Sequence, residues 1–304
     1  MNPHTRTQFQ AGRRLGILML PMILMLCSTS FGQTLMGGMA KQKPIDFSDR
    51  VVTFNTPDGV TIVADYYPVK VSSGKKTPIA ILIHMYPADR SSWKPFVPNL
   101  REAGIAVLAY DIRGTGASTK PANLKLEEGY KSHDTAHFQQ AFMDVAGATA
   151  WLSKQKNINL NRLVCIGASI GCSITLDFTM RTDEPKAVVC LSPGTNYFGV
   201  DSKEHIKNCS STPILLISPE AEYGAVKELV EASGGKAKSK KYPGGREYHG
   251  TGMFDADYGE KVKKKIMRFV KKHLGIKDKK KNDDSDKSKK KKKRKKKHKK
   301  KTGA

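Results

Sequence analysis

Three observations predict an α/β fold with a mostly parallel central sheet, helices on both faces and no separate lid domain. Five continuous apolar runs of strand length occur, at Pro78 to His84, Ile105 to Tyr110, Leu163 to Ile166, Ala187 to Leu191 and Pro213 to Ile217. Runs of this kind suit strands covered on both faces. Between them lie segments of helical period, such as Trp93, Phe96, Leu100 and Ala103, or Phe138, Phe142, Val145, Ala148 and Leu152. Strand and helix alternate, which builds a parallel sheet and gathers its functional loops at the carboxyl ends of the strands.

In chain order, residues 1–32 have the layout of a signal peptide. Arg6, Arg13 and Arg14 precede the apolar run Leu15 to Cys27, and the small residues Ser30 and Gly32 stand where cleavage is expected. The run contains Pro21 and is shorter than the roughly 20 apolar residues that a membrane span needs. The expectation is therefore export, to a periplasmic, secreted or cell-surface location. Left uncleaved, the segment would act as an N-terminal anchor.

Residues 33–48 read as a polar linker, and 49–275 as the α/β domain. Its first element is a β-hairpin, Val51 to Phe54 and Thr61 to Tyr67 around Asp58-Gly59. The last is an amphipathic helix, Tyr258 to Leu274, with Val262, Ile266, Phe269 and Val270 on one face. The interval from Leu191 to Pro213 is too short for a lid domain, so an open site is expected. Cys165 and Cys190 lie inside apolar strands and are expected to be free thiols. No Cys-X-X-Cys pair or clustered His/Cys spacing points to zinc, and neither a metal nor an organic cofactor is implied.

The segment Gly167-Ala168-Ser169-Ile170-Gly171 follows a buried strand and precedes a helical segment, the setting a nucleophile elbow requires. Small neighbours let Ser169 take a strained backbone that lifts its hydroxyl off the sheet, while helix amides beginning at Ile170 point where an oxyanion would form. A serine hydroxyl needs a base. His249, in the turn-rich stretch Tyr242 to Gly250 before the last helix, stands in the right place. His84 ends a strand and suits a structural role or a place bordering the oxyanion loop, and His133 and His137 read as solvated. A carboxylate should follow the strand Pro213 to Ile217, and both Glu220 and Glu222 qualify.

From about Val51 to Leu274 the chain resembles the α/β-hydrolase family, among its lidless bacterial members similar to esterases and dienelactone-hydrolase-like proteins. His84-Met85-Tyr86 stands where the family has His-Gly-X, so the resemblance implies that the Tyr86 amide joins that of Ile170 in an oxyanion hole. Asp111-Ile112-Arg113-Gly114-Thr115-Gly116-Ala117-Ser118 resembles the family loop Asp-X-Arg-Gly-X-Gly-X-Ser. Ser169 matches the nucleophile and His249 the base. Counting from the strand aligns Glu222 with the acid, in place of the family's usual Asp; Glu220 and, further off, Asp201 are the alternatives. Met85 departs from the family's glycine. The resemblance implies a serine hydrolase acting on a small acyl or ester substrate, with a peptidase on the same triad as the neighbouring activity.

The formal charge of +25 is uneven, because residues 277 to 304 hold 17 Lys and Arg against 4 Asp. Charge of this density repels itself and buries nothing, so residues 276–304 read as a disordered Lys-rich tail. Such a tail suits a polyanion, whether acidic polymer, anionic lipid or nucleic acid, bound through counterion release. A non-catalytic surface protein working through that tail is the reading from a different class.

Overall fold

The computed structural model describes residues 48–209 and 211–277. The expected signal peptide, all but the end of the linker and nearly all of the tail lie outside the described residues.

The hairpin opens the domain as β1 (Arg50–Asn55) and β2 (Thr61–Tyr67), paired antiparallel with Phe54 opposite Ile62. The turn needs a left-handed residue and has Gly59 at φ 83°. There follow β3 (Thr77–Ile83), α1 (Val97–Glu102), β4 (Ala106–Tyr110), α2 (Leu126–Lys131), α3 (Thr135–Gln139) and α4 (Phe142–Ser153). The second half runs β5 (Ile158–Ala168), α5 (Ile170–Thr182), β6 (Ala187–Leu191), β7 (Asn196–Tyr197), β8 (Val200–Asp201), α6 (Ser202–Asn208), β9 (Ile214–Pro219), α7 (Tyr223–Ala232), β10 (Lys238–Tyr242) and α8 (Gly259–His273).

Eight strands form one sheet in the order β1-β2-β4-β3-β5-β6-β9-β10. β1, β2 and β4 meet antiparallel, and every pairing from β4 to β10 is parallel. The five apolar runs are its five central strands, and β3, β4 and β6 are buried along their whole length. Alternation along them feeds two cores. Ile79, Ile81, Leu108 and Cys165 pack under Val145 and Leu152 of α4 and Ile174 and Phe178 of α5. Ala80, Leu82, Val107 and Ile166 face Leu100 of α1 and Val262, Ile266 and Val270 of α8. A third cluster joins α5, α6 and α7 to the far strands through Leu176, Ile206 and Val226.

Two helices expected as continuous are each divided. Trp93 closes a 3-10 turn, Arg90–Trp93, and α1 starts afresh at Val97, with Pro98 in its first turn where a missing N–H costs nothing. Phe138 belongs to α3 and Val145 to α4. The apolar period survives both breaks because it follows burial rather than helix continuity. Between Leu191 and Pro213 lie only the β7–β8 hairpin and α6, which form no separate lid. Strand β10 is the sheet's edge, and its sequence Lys-Ser-Lys-Lys-Tyr keeps charge on an otherwise open ladder. Cys165, Cys172, Cys190 and Cys209 are buried free thiols. No helix among the described residues is long and apolar enough to cross a membrane.

Candidate active site

Strand β5 ends at Ala168, and Ser169 turns the chain into α5 with φ 53° and ψ −120°. A non-glycine residue there costs about 1–3 kcal/mol and persists only where its surroundings enforce it. The glycines on either side do so. A Cβ on Gly167 would stand 2.6 Å from Cys172 N and closer still to Gly171, and one on Gly171 would stand 2.7 Å from His84 O and closer to Ile83 O. The turn is therefore as tight as two backbones allow, and the start of α5 lies directly against the end of β3. Ser169 N–H donates to Leu191 O at 2.9 Å, which ties the turn to β6.

This contact between α5 and β3 brings the loop after β3 to the elbow. The Ile170 amide opens α5, in the first turn of a helix, where N–H groups have no partner within the helix. Tyr86 follows on the β3 loop, and its ring packs against Tyr130, His133 and Phe198 at centroid distances of 5.0, 4.5 and 5.5 Å. His84 holds this loop in place. It is fully buried, donates from Nδ1 to Met85 O at 2.9 Å and accepts the Ile112 N–H on Nε2 at 3.0 Å. Both nitrogens are used by the backbone, and burial pushes the imidazole pKa down, so His84 is a neutral strut.

The loop from Asp111 to Ser118 braces the other side. Asp111 is buried and accepts from Arg90 N at 3.0 Å, Ala117 N at 2.8 Å and the Arg90 guanidinium. Arg113 is buried too, held by Asp144 at 2.8 Å and Asp58 at 2.7 Å. Burial pushes the Asp144 carboxyl up to about 6 although Arg113 pulls it down.

His249 follows a 3-10 turn, Arg246–Tyr248, and precedes Gly250 at φ 57°. Gly250 N–H donates to Ser192 Oγ at 2.9 Å, and a Cβ there would stand 2.6 Å from Met85 Sδ and 3.4 Å from Ala168 Cβ. The histidine loop thus lies across the elbow and against the loop of Tyr86. Met85 is wedged between the two, which gives a physical use to a side chain where the resembled family has none.

His249 Nδ1 lies 2.7 Å from Glu222 Oε1. The carboxylate is 15% exposed and the imidazole 29%. Burial pushes the Glu222 carboxyl up, but the imidazole of His249 and the hydroxyl of Ser192, with the charges of His249 and Arg246, outweigh it and leave the pKa below the ordinary value. The other carboxylates are occupied elsewhere. Glu220 is 60% exposed and pairs with Lys241. Asp201 caps α6, accepting from Lys203 N at 3.0 Å and Glu204 N at 3.1 Å.

Of the remaining histidines, His133 is exposed, stacked on Phe198 at 4.2 Å. His137 corrects the sequence reading, which took it as solvated. It is 9% exposed, with Nε2 3.0 Å from Arg113 O, and burial pushes its pKa down. A period count cannot see that α3 packs over the Arg113 loop.

Two participants were not legible in the sequence. Ser192, at φ 52°, supports the histidine loop, and Tyr197 lies beside Ser169 with its hydroxyl 3.4 Å from Ser192 O and its ring 6.5 Å from that of His249. The only sequence signal is the Ser192-Pro193-Gly194 turn after β6, where a Cβ on Gly194 would strike the Tyr197 ring. Among the described residues, no group of three or more His, Cys, Asp or Glu could hold a metal ion.

A sequence profile described as the alpha/beta hydrolase fold matches residues 78–215. The Pyrococcus furiosus esterase superposes with a TM-score of 0.60 at 17% identity, covering 75% of this chain and 92% of its own. The chain has the α/β-hydrolase fold. An acylaminoacyl peptidase of Pyrococcus horikoshii shares that fold, with a TM-score of 0.59 at 15% identity over 79% of this chain and 44% of its own. In sequence, the chain is 27% identical over 148 residues to an uncharacterized protein of Mycobacterium tuberculosis, 48% of this chain and 46% of that one. It is 37% identical over 116 residues to epoxide hydrolase A of the same organism, 38% of this chain and 31% of that one. The match thus spans less than half the length of these two relatives. Within this hydrolase fold the elbow, the histidine loop and the acid-bearing turn all sit at the carboxyl ends of the strands, where the topology gathers them.

Proposed function

We propose that the chain is a serine hydrolase that cleaves a carboxylic ester or related acyl bond through Ser169, His249 and Glu222. The observation that carries this reading is the His249 Nδ1 to Glu222 Oε1 contact of 2.7 Å, made by a loop that lies over a serine with φ 53°. Glu222 accepts the Nδ1 proton and so leaves Nε2 as the free base. Ser169 Oγ then attacks the carbonyl carbon while Nε2 takes its proton. The tetrahedral oxyanion is held by the amides of Ile170 and Tyr86, and His249 returns the proton to the leaving alcohol or amine. Water repeats the sequence on the acyl-enzyme. Proteins named as an esterase and an acylaminoacyl peptidase share the fold, which agrees with the proposed chemistry.

The test is labelling by a fluorophosphonate probe with Ser169→Ala as control, followed by a screen of acyl esters of graded chain length. Labelling that depends on Ser169 is expected. Folded protein that takes up no label at Ser169 would favour instead a non-catalytic protein acting through its basic tail. Export through residues 1–32 and polyanion binding through residues 277–304 are separate proposals. The second predicts that removing 277–304 abolishes retention on an anionic surface at low salt, and unchanged retention refutes it.

A further inference from the structure

Leu191 and Ser192, where β6 ends, hold the elbow, the histidine loop and a phenol together. Leu191 O accepts the Ser169 N–H at 2.9 Å. Ser192 Oγ accepts the N–H of Gly250, next to His249, at 2.9 Å, and Ser192 O accepts the Tyr197 hydroxyl at 3.4 Å. The phenol is thereby fixed where Ser169 and His249 meet. Its ring stands edge-on to the imidazole, 6.5 Å away at 88°, and the Ser169 hydroxyl is a hydrogen-bonding neighbour.

The β7–β8 hairpin is braced to keep it there. Tyr197 pairs with the buried Val200. Gly199 N–H donates to Asn196 Oδ1 at 3.0 Å, Gly199 O accepts from Gln139 Nε2 at 3.0 Å, and Phe198 stacks on His133. A Cβ on Gly194 would stand 2.6 Å from Tyr197 Cε2 and Cζ, so the turn after β6 is bare against the hydroxyl end of this ring.

The phenolic proton is only loosely used. An O–H···O bond is usually about 2.7–2.8 Å, so the 3.4 Å to Ser192 O is slack. A neighbouring oxygen that gains negative charge would draw the proton into a shorter, charge-assisted bond. Burial pushes the phenol pKa up to about 12, so Tyr197 stays a neutral donor across the range in which a histidine acts as base.

Sheet order decides which oxygen that is. Strand β5, which leads into Ser169, lies between β3 and β6. The Tyr86 loop follows β3 and Tyr197 follows β6, so the two approach Ser169 from opposite sides. In the proposed reaction the carbonyl oxygen turns to the Tyr86 and Ile170 amides, and the leaving group turns to His249.

We propose that Tyr197 is a further catalytic residue, whose hydroxyl hydrogen-bonds the leaving-group oxygen as the tetrahedral intermediate collapses. The inference rests on the serine-hydrolase reading. The bond from the carbonyl carbon to the leaving oxygen breaks, its electron pair passes to that oxygen, and His249 Nε2 supplies the proton. Tyr197 gives up no proton. It shares the charge that develops before the proton arrives, and so matters most when the leaving oxygen is strongly basic.

Three butyrates with one acyl part and different leaving groups test this in the full chain: 4-nitrophenyl, phenyl and ethyl butyrate. Their kcat/KM reports acylation, the step in which the leaving group departs. Tyr197→Phe should lower kcat/KM by about tenfold or more on ethyl butyrate, by less than about threefold on 4-nitrophenyl butyrate, and by an intermediate factor on phenyl butyrate. Fluorophosphonate labelling of Ser169 expels fluoride, a weak base, and should also change by less than about threefold.

Phenylalanine keeps the ring against Gly194 and loses only a slack hydrogen bond, so the variant should fold, and thermal melting checks it. An equal loss on all three esters would mean that Tyr197 only positions Ser169, and would overturn the inference. So would an ethyl butyrate rate unchanged by the substitution. If the native protein hydrolyses no ester and Ser169 takes no fluorophosphonate, the serine-hydrolase reading itself has failed and takes this one with it.

Discussion

Replacing Glu222 with Gln tests the candidate triad at its most specific contact. His249 Nδ1 lies 2.7 Å from the carboxylate, and in the proposed triad it donates its proton there and leaves Nε2 as the base. A glutamine of the same length can turn its NH2 toward Nδ1, which then becomes an acceptor, and the proton moves to Nε2. The base is lost with the geometry intact. The serine-protease precedent for this exchange is a fall in kcat of about 10⁴, equivalent to about 5.4 kcal/mol of barrier. Hydrolysis of a neutral 4-nitrophenyl ester should show a loss of that order in Glu222→Gln, with the melting temperature within a few degrees of native. Glu220→Gln is the internal control, since Glu220 is 60% exposed and its partner is Lys241. Glu222→Asp, one methylene shorter, should fall between. A Glu222→Gln enzyme within tenfold of native, or a larger loss in Glu220→Gln, would refute the assignment of the acid. Acid should act in the same direction. The Glu222 carboxyl is held below its ordinary value, so its contribution is complete above the ordinary carboxylate range and is lost as pH falls through the lowered one.

Other outcomes follow from the same contacts. Gly171→Ala would drive a Cβ into Ile83 O and His84 O at the join of α5 and β3, and should cost about 1–3 kcal/mol or prevent folding, read as a lowered melting temperature or loss of soluble protein. Arg113→Met leaves Asp144 buried with its charge uncompensated and should cost about 3–5 kcal/mol in chemical denaturation, part of which Arg113→Met with Asp144→Leu should recover. Native stability should fall as pH drops below about 6.5, because His84 and His137 are held neutral and must bind protons on unfolding. Asp144, whose folded carboxyl is pushed up to about 6, takes up a proton in the folded state and offsets one of the two. His205 and His273, also lowered by burial, act in the same direction as His84 and His137, so stability should fall between pH 7 and 5, and no loss over that range would contradict the burial argument.

The sequence by itself determined the sheet and the elbow. Unbroken apolar runs such as Ala187 to Leu191 can only be strands covered on both faces, and Gly167 and Gly171 announce a turn in which no Cβ fits. Both are short-range facts, decided by neighbours along the chain. The acid was not of that kind. Glu220 and Glu222 sit two residues apart on one turn, and their difference arises from what each faces: Lys241 of the sheet edge in one case, His249 of a loop 27 residues away in the other. Likewise, His137 reads as a surface histidine until α3 is laid over Arg113, and Tyr197 acquires meaning only when the β7–β8 hairpin meets the histidine loop. Backbone strain and strand burial are written locally, whereas the pairing of charges depends on which loops the sheet order brings together, and only the tertiary structure decides that.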